Sequence, residues 1–242
     1  MRDIIFYEEI GSTNDEAKRL AREGKQEGLL ILSGSQTAGK GRLSRKWHSP
    51  EKSGLYCSLI LRPPIPISKI SLLTILGGVA VLETIQKETS LLPCLKWPND
   101  VLINGKKVCG ILIESACKKC NVEFAILGIG VNINNKREQF PDELSGSSTS
   151  LRIETGKDII REKFLSTLMF YLEKKYTSLL KKGHKTILQF WRENNDTFGK
   201  KVTIYRGTRL IIGLAKDIDE NGNLLVQLKS GDVEKVFSGE LR

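Results

Sequence analysis

Ser33-Gly34-Ser35-Gln36-Thr37-Ala38-Gly39-Lys40-Gly41-Arg42-Leu43-Ser44-Arg45-Lys46-Trp47-His48 is the stretch from which the rest of this 242-residue chain is read. It follows the apolar residues 29–32, which have the composition of a buried strand, and there the apolar pattern stops. Gly34, Gly39 and Gly41 are then interleaved with Lys40, Arg42, Arg45 and Lys46, and no acidic residue follows until Glu51. Glycine lets a backbone approach a ligand closely and adopt positive φ. Cations crowded on such a loop are costly unless an anion sits among them, so a strand end leading into it reads as a phosphate cradle. Trp47 adds an aromatic face able to close on a flat ligand. Walker A chemistry is excluded: after Gly34-x-x-x-x-Gly39-Lys40, Gly41 stands where a Ser or Thr should hold magnesium. The residues beyond it lack a helical period, so no helix N-terminus is offered to a phosphate. On charge alone, a solvated basic hairpin loop remains the alternative.

Working outward, apolar content of 40% and charged content of 27% describe a globular chain able to bury a substantial core, as one large domain or a large and a small one. The longest apolar stretch, residues 72–82, is too short to cross a bilayer, and the N-terminus turns acidic too early for a signal peptide. A cytosolic location is expected. Five cysteines, an odd number spread over apparent strands, argue against a secreted disulfide framework. Cys117-Lys-Lys-Cys120 has metal or redox spacing, but no second pair follows and the chain has two histidines, so a hairpin turn is the better reading. The net charge of +10 is spread along the chain, which suits acidic protein partners and nucleotides as well as nucleic acid.

Residues 4–9 read as a first strand ending at Gly11. Ser12-Thr13-Asn14-Asp15-Glu16 opens a helix, with Thr13 and Glu16 at capping-box spacing. A cap alone does not require Ser, Thr and Asn in succession, so a small polar ligand is expected there, at the positive end of the helix. Residues 54–61 alternate as a strand and 70–85 form a buried helix. In Leu95-Lys96-Trp97-Pro98-Asn99-Asp100, Lys96 is bracketed by apolar residues, and its amine points either outward from a strand or into an apolar pocket where it needs an anion. Asn104-Gly105 is a tight hairpin turn. Residues 108–114 and 122–133 are paired strands, the second carrying Gly128-Ile129-Gly130-Val131-Asn132, whose alternate glycines bare one sheet face. Helices follow over 158–182 and 185–194. From about Gly199 short strands at 202–205, 209–217, 224–228 and 233–237 predict a small β-barrel.

Together these pieces resemble the biotin protein ligases. The matching motifs are Gly11-Ser12-Thr13-Asn14, Gln36 to Arg42 with Arg45-Lys46-Trp47, Lys96-Trp97-Pro98-Asn99-Asp100, Lys107 to Glu114 through Gly110, Gly128 to Asn132 and the ending Gly239-Glu240-Leu241-Arg242. The resemblance spans nearly the whole chain, in order. It implies an α/β (α+β) fold: a mixed-sheet catalytic domain of the class II synthetase and biotin/lipoate ligase type over residues 1–196, and a C-terminal SH3-like barrel over 197–242. It implies activation of biotin by Mg-ATP as biotinyl-5′-adenylate and transfer to one lysine of a biotin carboxyl carrier protein or domain.

Carried over by position, Ser12, Thr13, Asn14, Gln36, Gly39, Lys40, Gly41, Arg42, Lys96 and Gly110 would bind biotin. Lys40, Arg42, Arg45, Trp47, Lys96, Asn99 and Asn132 would bind ATP and the adenylate. Lys96 and Arg42 would be catalytic, and Asp100 would neighbour magnesium. Lys40 departs from the arginine common in bacterial members, keeping the charge without the planar fork, and Leu43 stands where another arginine is common. With the first strand at Ile4, an N-terminal helix-turn-helix repressor domain is not expected, nor is specific DNA or membrane binding; monomer and homodimer both fit. Lipoate or octanoate transfer is the nearest rival, although the Ser-Thr-Asn run suits a ureido ring better. A nucleic-acid module is disfavoured because the barrel segment carries only Tyr205 and Phe237 as aromatics.

Overall fold

Seven strands form the main sheet: β1 (Ile4–Ile10), β2 (Leu30–Gln36), β3 (Gly54–Leu61), β4 (Cys94–Lys96), β5 (Asp100–Ile103), β6 (Lys106–Lys118) and β7 (Asn121–Asn132). Their order is β1-β2-β3-β7-β6-β5-β4; β1 and β2 run parallel and every other neighbour antiparallel, a mixed sheet. The computed structural model describes residues 3–206, 209–237 and 239–241; Arg242 of the family-like ending lies outside the described residues.

Side chains alternate across a strand, and here the alternation assigns each face its cover. The helix α1 (Thr13–Arg22) packs Ala17, Leu20 and Ala21 on Ile31, Ile60, Phe124 and Ile126. The opposite face meets α2 (Ser71–Glu88), whose Gly77 and Gly78 let Ile111, Leu127 and Leu95 approach. The 22-residue segment Ile67–Glu88 is long and apolar enough to cross a membrane, yet it is mostly buried inside the fold, as a core helix is. Two short helices, α3 (Asp142–Ser145) and α4 (Leu151–Thr155), lead to α5 (Arg161–Lys182) and α6 (Lys185–Glu193), which pack over α2.

Two turns form as their residues dictate. Asn104 (φ 51°) and Gly105 (φ 76°) close the β5–β6 hairpin with both residues left-handed. Residues 117–120 close β6–β7, and both cysteines are free and exposed.

The helix start differs from expectation. Ser12, extended at φ −156°, is the cap and accepts from the Asp15 amide, while Thr13 is already helical. Glu16 takes Tyr7 Oη and Arg19 instead of completing a capping box. The Thr13 hydroxyl is thereby released to the interior.

The C-terminal strands β8 (Lys201–Arg206), β9 (Arg209–Ile218), β10 (Leu224–Leu228), β11 (Val233–Val236) and β12 (Glu240–Leu241) form an antiparallel sheet ordered β11-β10-β9-β8-β12. This is an SH3-like arrangement, but the ladder does not close into a barrel among the described residues. The last strand has two residues and pairs with β8 alone among those residues. The sheet is stitched to the main body. Leu95 exchanges backbone hydrogen bonds with Asn194 and Asp196, the Trp97 amide donates to Thr197 Oγ1 at 2.9 Å, and Arg192 holds Asp217 and the Ile218 carbonyl.

Candidate functional site

Along β7 the residues facing α1 are Phe124, Ile126, Gly128, Gly130 and Asn132. The first two carry the helix. Where α1 begins, the side chains give way to glycine and the sheet is bare. Gly110 and Gly130 are register partners on β6 and β7, as are Leu112 and Gly128. A cavity of about 390 Å³ opens over this floor, within the range of a small-molecule site. Its walls gather nearly every residue singled out in the sequence: Ser12, Thr13, Asn14, Gln36, Lys40, Gly41, Arg42, Arg45, Trp47, Lys96, Asn99, Asp100, Gly110 and Asn132. Gly39 stands behind them. A Cβ there would lie 2.5 Å from the Trp47 carbonyl and 2.8 Å from Ser49 Oγ, so the loop's fold requires the glycine.

One end of the cavity is neutral and hydrogen-bonding. Gln36 Oε1 accepts from the Thr13 amide (2.9 Å) and hydroxyl (3.1 Å), and Gln36 Nε2 donates to Ser49 Oγ. Ser58 Oγ, fully buried on β3, lies 2.8 Å from Thr13 Oγ1 and 2.6 Å from Asn14 Oδ1. Asn14 Nδ2 donates to Glu114 Oε2 at 3.0 Å, and Lys18 Nζ donates to Glu114 Oε1 at 3.0 Å. Burial alone would raise the Glu114 pKa, but the Lys18 ammonium and the Asn14 amide outweigh it and hold the carboxyl below its usual value. Asn14 sits directly on the floor: a Cβ at Gly128 would be 2.1 Å from its Oδ1.

The other end is cationic. The basic loop runs as a strap: Lys40 bridges to Lys46, the Gly41 amide donates to the Arg45 carbonyl and the Trp47 amide to the Gly39 carbonyl. Leu43 (φ 53°) and Ser44 (φ 60°) form one left-handed turn at its tip, not a helix N-terminus. Lys40 is pinned to Asp15 of α1, which raises its pKa. Arg42 is partly buried; desolvation pushes its pKa down, and Nη1 donates to the Asn99 amide oxygen at 3.3 Å. Asn99 is held in turn by its donation to the Ile111 carbonyl. Lys96, at the end of β4, lines the cavity without a hydrogen-bonded or ion-paired partner among the described residues. This settles its direction: it faces inward, and Trp97 faces the core.

Trp47 reaches from the strap across to the sheet. Its indole lies on the glycine floor, with Nε1 2.4 Å from where a Gly130 Cβ would be, and Lys107 Nζ lies 5.4 Å from the ring centroid. That Nε1 is buried and has no hydrogen-bond partner among the described residues. Asp100 pairs with Lys107 at 2.7 Å. Asn132 lines the cavity, and its Nδ2 is committed to the Thr149 carbonyl at 3.0 Å. Ser58, Glu114 and Lys107 are the participants that reading the sequence left without a role. The signal that could have marked Ser58 is that it is the one serine in β3, a largely apolar strand.

The biotin/lipoate A/B protein ligase family matches residues 7–132, just over half of the chain. The chain belongs to that family. Residues 197–240 further match the biotin protein ligase C-terminal domain. Among family relatives, the bifunctional ligase/repressor BirA of Bacillus subtilis (strain 168) is 37% identical over 238 residues, covering 98% of this chain and 73% of that protein. The biotin--[acetyl-CoA-carboxylase] ligase of Mycobacterium tuberculosis is 29% identical, over 99% of this chain and 88% of that one. Of solved family structures, the biotin protein ligase from Aquifex aeolicus in complex with biotin and ATP superposes with a TM-score of 0.85 at 30% identity, over 100% of this chain and 98% of that one.

Proposed function

We propose that this chain is an ATP-dependent biotin protein ligase: it activates biotin as biotinyl-5′-adenylate and passes the biotinyl group to one lysine of a carboxylase's biotin carrier domain. The observation that carries the reading is the continuity of one cavity from a neutral end, built by Ser12, Thr13, Asn14 and Gln36, to a cationic end built by Lys40, Arg42 and Lys96. A ureido ring needs a dense set of donors and acceptors, and the neutral end supplies them. The carboxylate and α-phosphate need cations, and the other end supplies those.

A carboxylate is a poor acylating agent, and its attack on an α-phosphate brings two anions together. Lys96 and Arg42 offset that repulsion and the negative charge that develops as the phosphoanhydride bond breaks. One oxygen of biotin forms the new bond to phosphorus and pyrophosphate leaves. The neutral amine of the acceptor lysine then attacks the mixed anhydride carbonyl, and AMP departs as an amide forms. The strap from Gly39 to Trp47 shields the anhydride from water meanwhile. Trp47 covers the nucleotide, while Arg45, Asn99 and Asn132 line its place.

Magnesium is needed to neutralise the triphosphate. Among the described residues no three His, Cys, Asp or Glu side chains cluster as a metal cage, which suits an ion carried in by ATP phosphates and water. Asp100, paired with Lys107, is the carboxylate in the cavity wall that we assign as its neighbour. We place the catalytic unit at 1–196 and the C-terminal unit at 197–242. The five free cysteines agree with a reducing, cytosolic setting.

Pyrophosphate release from Mg-ATP, measured with biotin, with lipoate and with neither, tests the assignment. Release that requires biotin, with adenylate in the protein-bound fraction, is the expected result. Release with lipoate alone would transfer the substrate assignment to the other branch of the family.

A further inference from the structure

A smaller cavity, of about 150 Å³, lies where the main sheet runs out of strands. β5 pairs with β6 only as far as Asp100 opposite Gly110, and the Ile111 amide closes on the Asn99 carbonyl. Past that point no strand follows β6 on this side among the described residues. The gap is walled instead by Ile70 and Ile75 at the start of α2, by Ile113, and by Gly222 and Phe237 of the C-terminal unit. Its volume is below that of a small-molecule site and suits a single side chain. Arg42, Pro98, Asn99 and Leu112 line both this niche and the main cavity, so the two share a wall at the cationic end. Phe237, 56% exposed, stands at the outer rim. Among the described residues Arg42 is the one charged group in the niche, and no carboxylate lines it.

We infer that this niche is the entry for the side chain of the acceptor lysine, whose stem lies along the isoleucines and whose amine emerges beside Arg42 and Asn99 at the adenylate. The inference rests on the transfer reaction proposed above. A lysine in water carries an ammonium on a flexible four-carbon stem, whereas the attacking form is the neutral amine. An ammonium entering the niche would be stripped of water with no anion to meet it and the Arg42 guanidinium ahead of it. The first proton is therefore left in water at the rim and the neutral amine goes on. Its nitrogen lone pair forms the bond to the acyl carbon, and the bond from that carbon to the phosphate oxygen breaks. AMP leaves with that electron pair, and the second proton passes from nitrogen to solvent. The C-terminal unit thereby gains a part in the transfer step, since Gly222 and Phe237 supply one wall of the passage.

Thr74, on the first turn of α2, lines the niche and not the main cavity, so a larger side chain there separates the two half-reactions. The test measures single-turnover transfer from the preformed enzyme–adenylate complex to a purified biotin carrier domain, beside biotin-dependent pyrophosphate release without acceptor. Thr74→Phe should slow transfer about tenfold or more, on the scale of misplacing a reacting group, and leave pyrophosphate release within about twofold of native. If Thr74→Phe fails to fold, Thr74→Cys decides the matter. It is made together with Cys117→Ser and Cys120→Ser and blocked after folding with a benzyl methanethiosulfonate. The blocked protein should lose transfer and regain it when a thiol reductant removes the plug, while the same treatment of the chain retaining Thr74 changes nothing. Native transfer in Thr74→Phe or in the blocked protein would overturn the inference. Equal losses in both half-reactions would overturn it too, because the niche would then serve the fold and not the acceptor. A native protein that releases no pyrophosphate with biotin would overturn the proposed function itself.

Discussion

Trp97 Nε1 donates to the carbonyl of Gly222 at 3.1 Å, across a sequence separation of 125 residues. The indole is buried, and it joins the main domain to the β9–β10 turn, where Gly222 at φ 82° also packs on Ile75. Trp97→Phe keeps the ring packing and strands a buried carbonyl. It should lower stability by about 1–3 kcal/mol, read as a shift of the urea midpoint, with biotin binding unchanged.

Lys96, the neighbour of that tryptophan, points to the other side of β4. Lys96→Ala removes the cation that faces the cavity without a partner among the described residues. Biotin-dependent pyrophosphate release should fall about a hundredfold or more, on the scale of losing one preorganised electrostatic contact, while biotin itself still binds. Near-normal release would refute the role.

Arg42 ties the strap to Asn99. Arg42→Gly should loosen the strap so that adenylate, once made, escapes to solvent. The check is retention of labelled intermediate through gel filtration; retention equal to the native protein would remove Arg42 from the closure.

The two floor glycines should separate the substrates. A Cβ at Gly128 intrudes on Asn14, and one at Gly130 on Trp47. Gly128→Ala should therefore weaken biotin by tenfold or more with less effect on ATP, and Gly130→Ala the reverse. Equal effects of both substitutions on both ligands would show that the cavity is not divided in this way.

The thiols should respond to pH according to burial. Burial pushes Cys57 up to about 12 and Cys109 well above its usual value of 9.0, whereas Cys117 and Cys120 are exposed. At pH 8 an alkylating reagent should label Cys117 and Cys120 first and reach Cys57 and Cys109 only on unfolding. Raised thiol pKa values in the fold mean that the unfolded chain loses those protons first. Stability should therefore fall as pH rises from about 9 towards 12, and Cys57→Ser should flatten that fall.

Much of the site was legible because its chemistry is local. The glycines and cations of 39–47 and the Ser-Thr-Asn run announce themselves by residue type, and alternation along 124–132 locates the bare face. What was not legible depends on pairing across the sheet. Glu114 meets Asn14 only because β6 and β7 register Glu114 opposite Ile126, two residues from Gly128. The cap is Ser12 and not Thr13 because the backbone is still extended at Ser12 and already helical at Thr13, whose hydroxyl instead meets Gln36, 23 residues away, a partner no local rule anticipates. The small barrel expected from strand spacing is, among the described residues, an open antiparallel sheet with β12 paired to β8.

Because the sheet beneath the cavity is main chain at Gly110, Gly128 and Gly130, its own surface is set by strand geometry, and the side chains that lie on it, Asn14 and Trp47, supply the rest of the shape. Side-chain floors breathe as torsions hop; a peptide floor between hydrogen-bonded neighbours moves only with the sheet itself. Any adaptation to a bulkier ligand must therefore come from Asn14 and from Trp47 of the strap, since the sheet below them has no side chain left to trim.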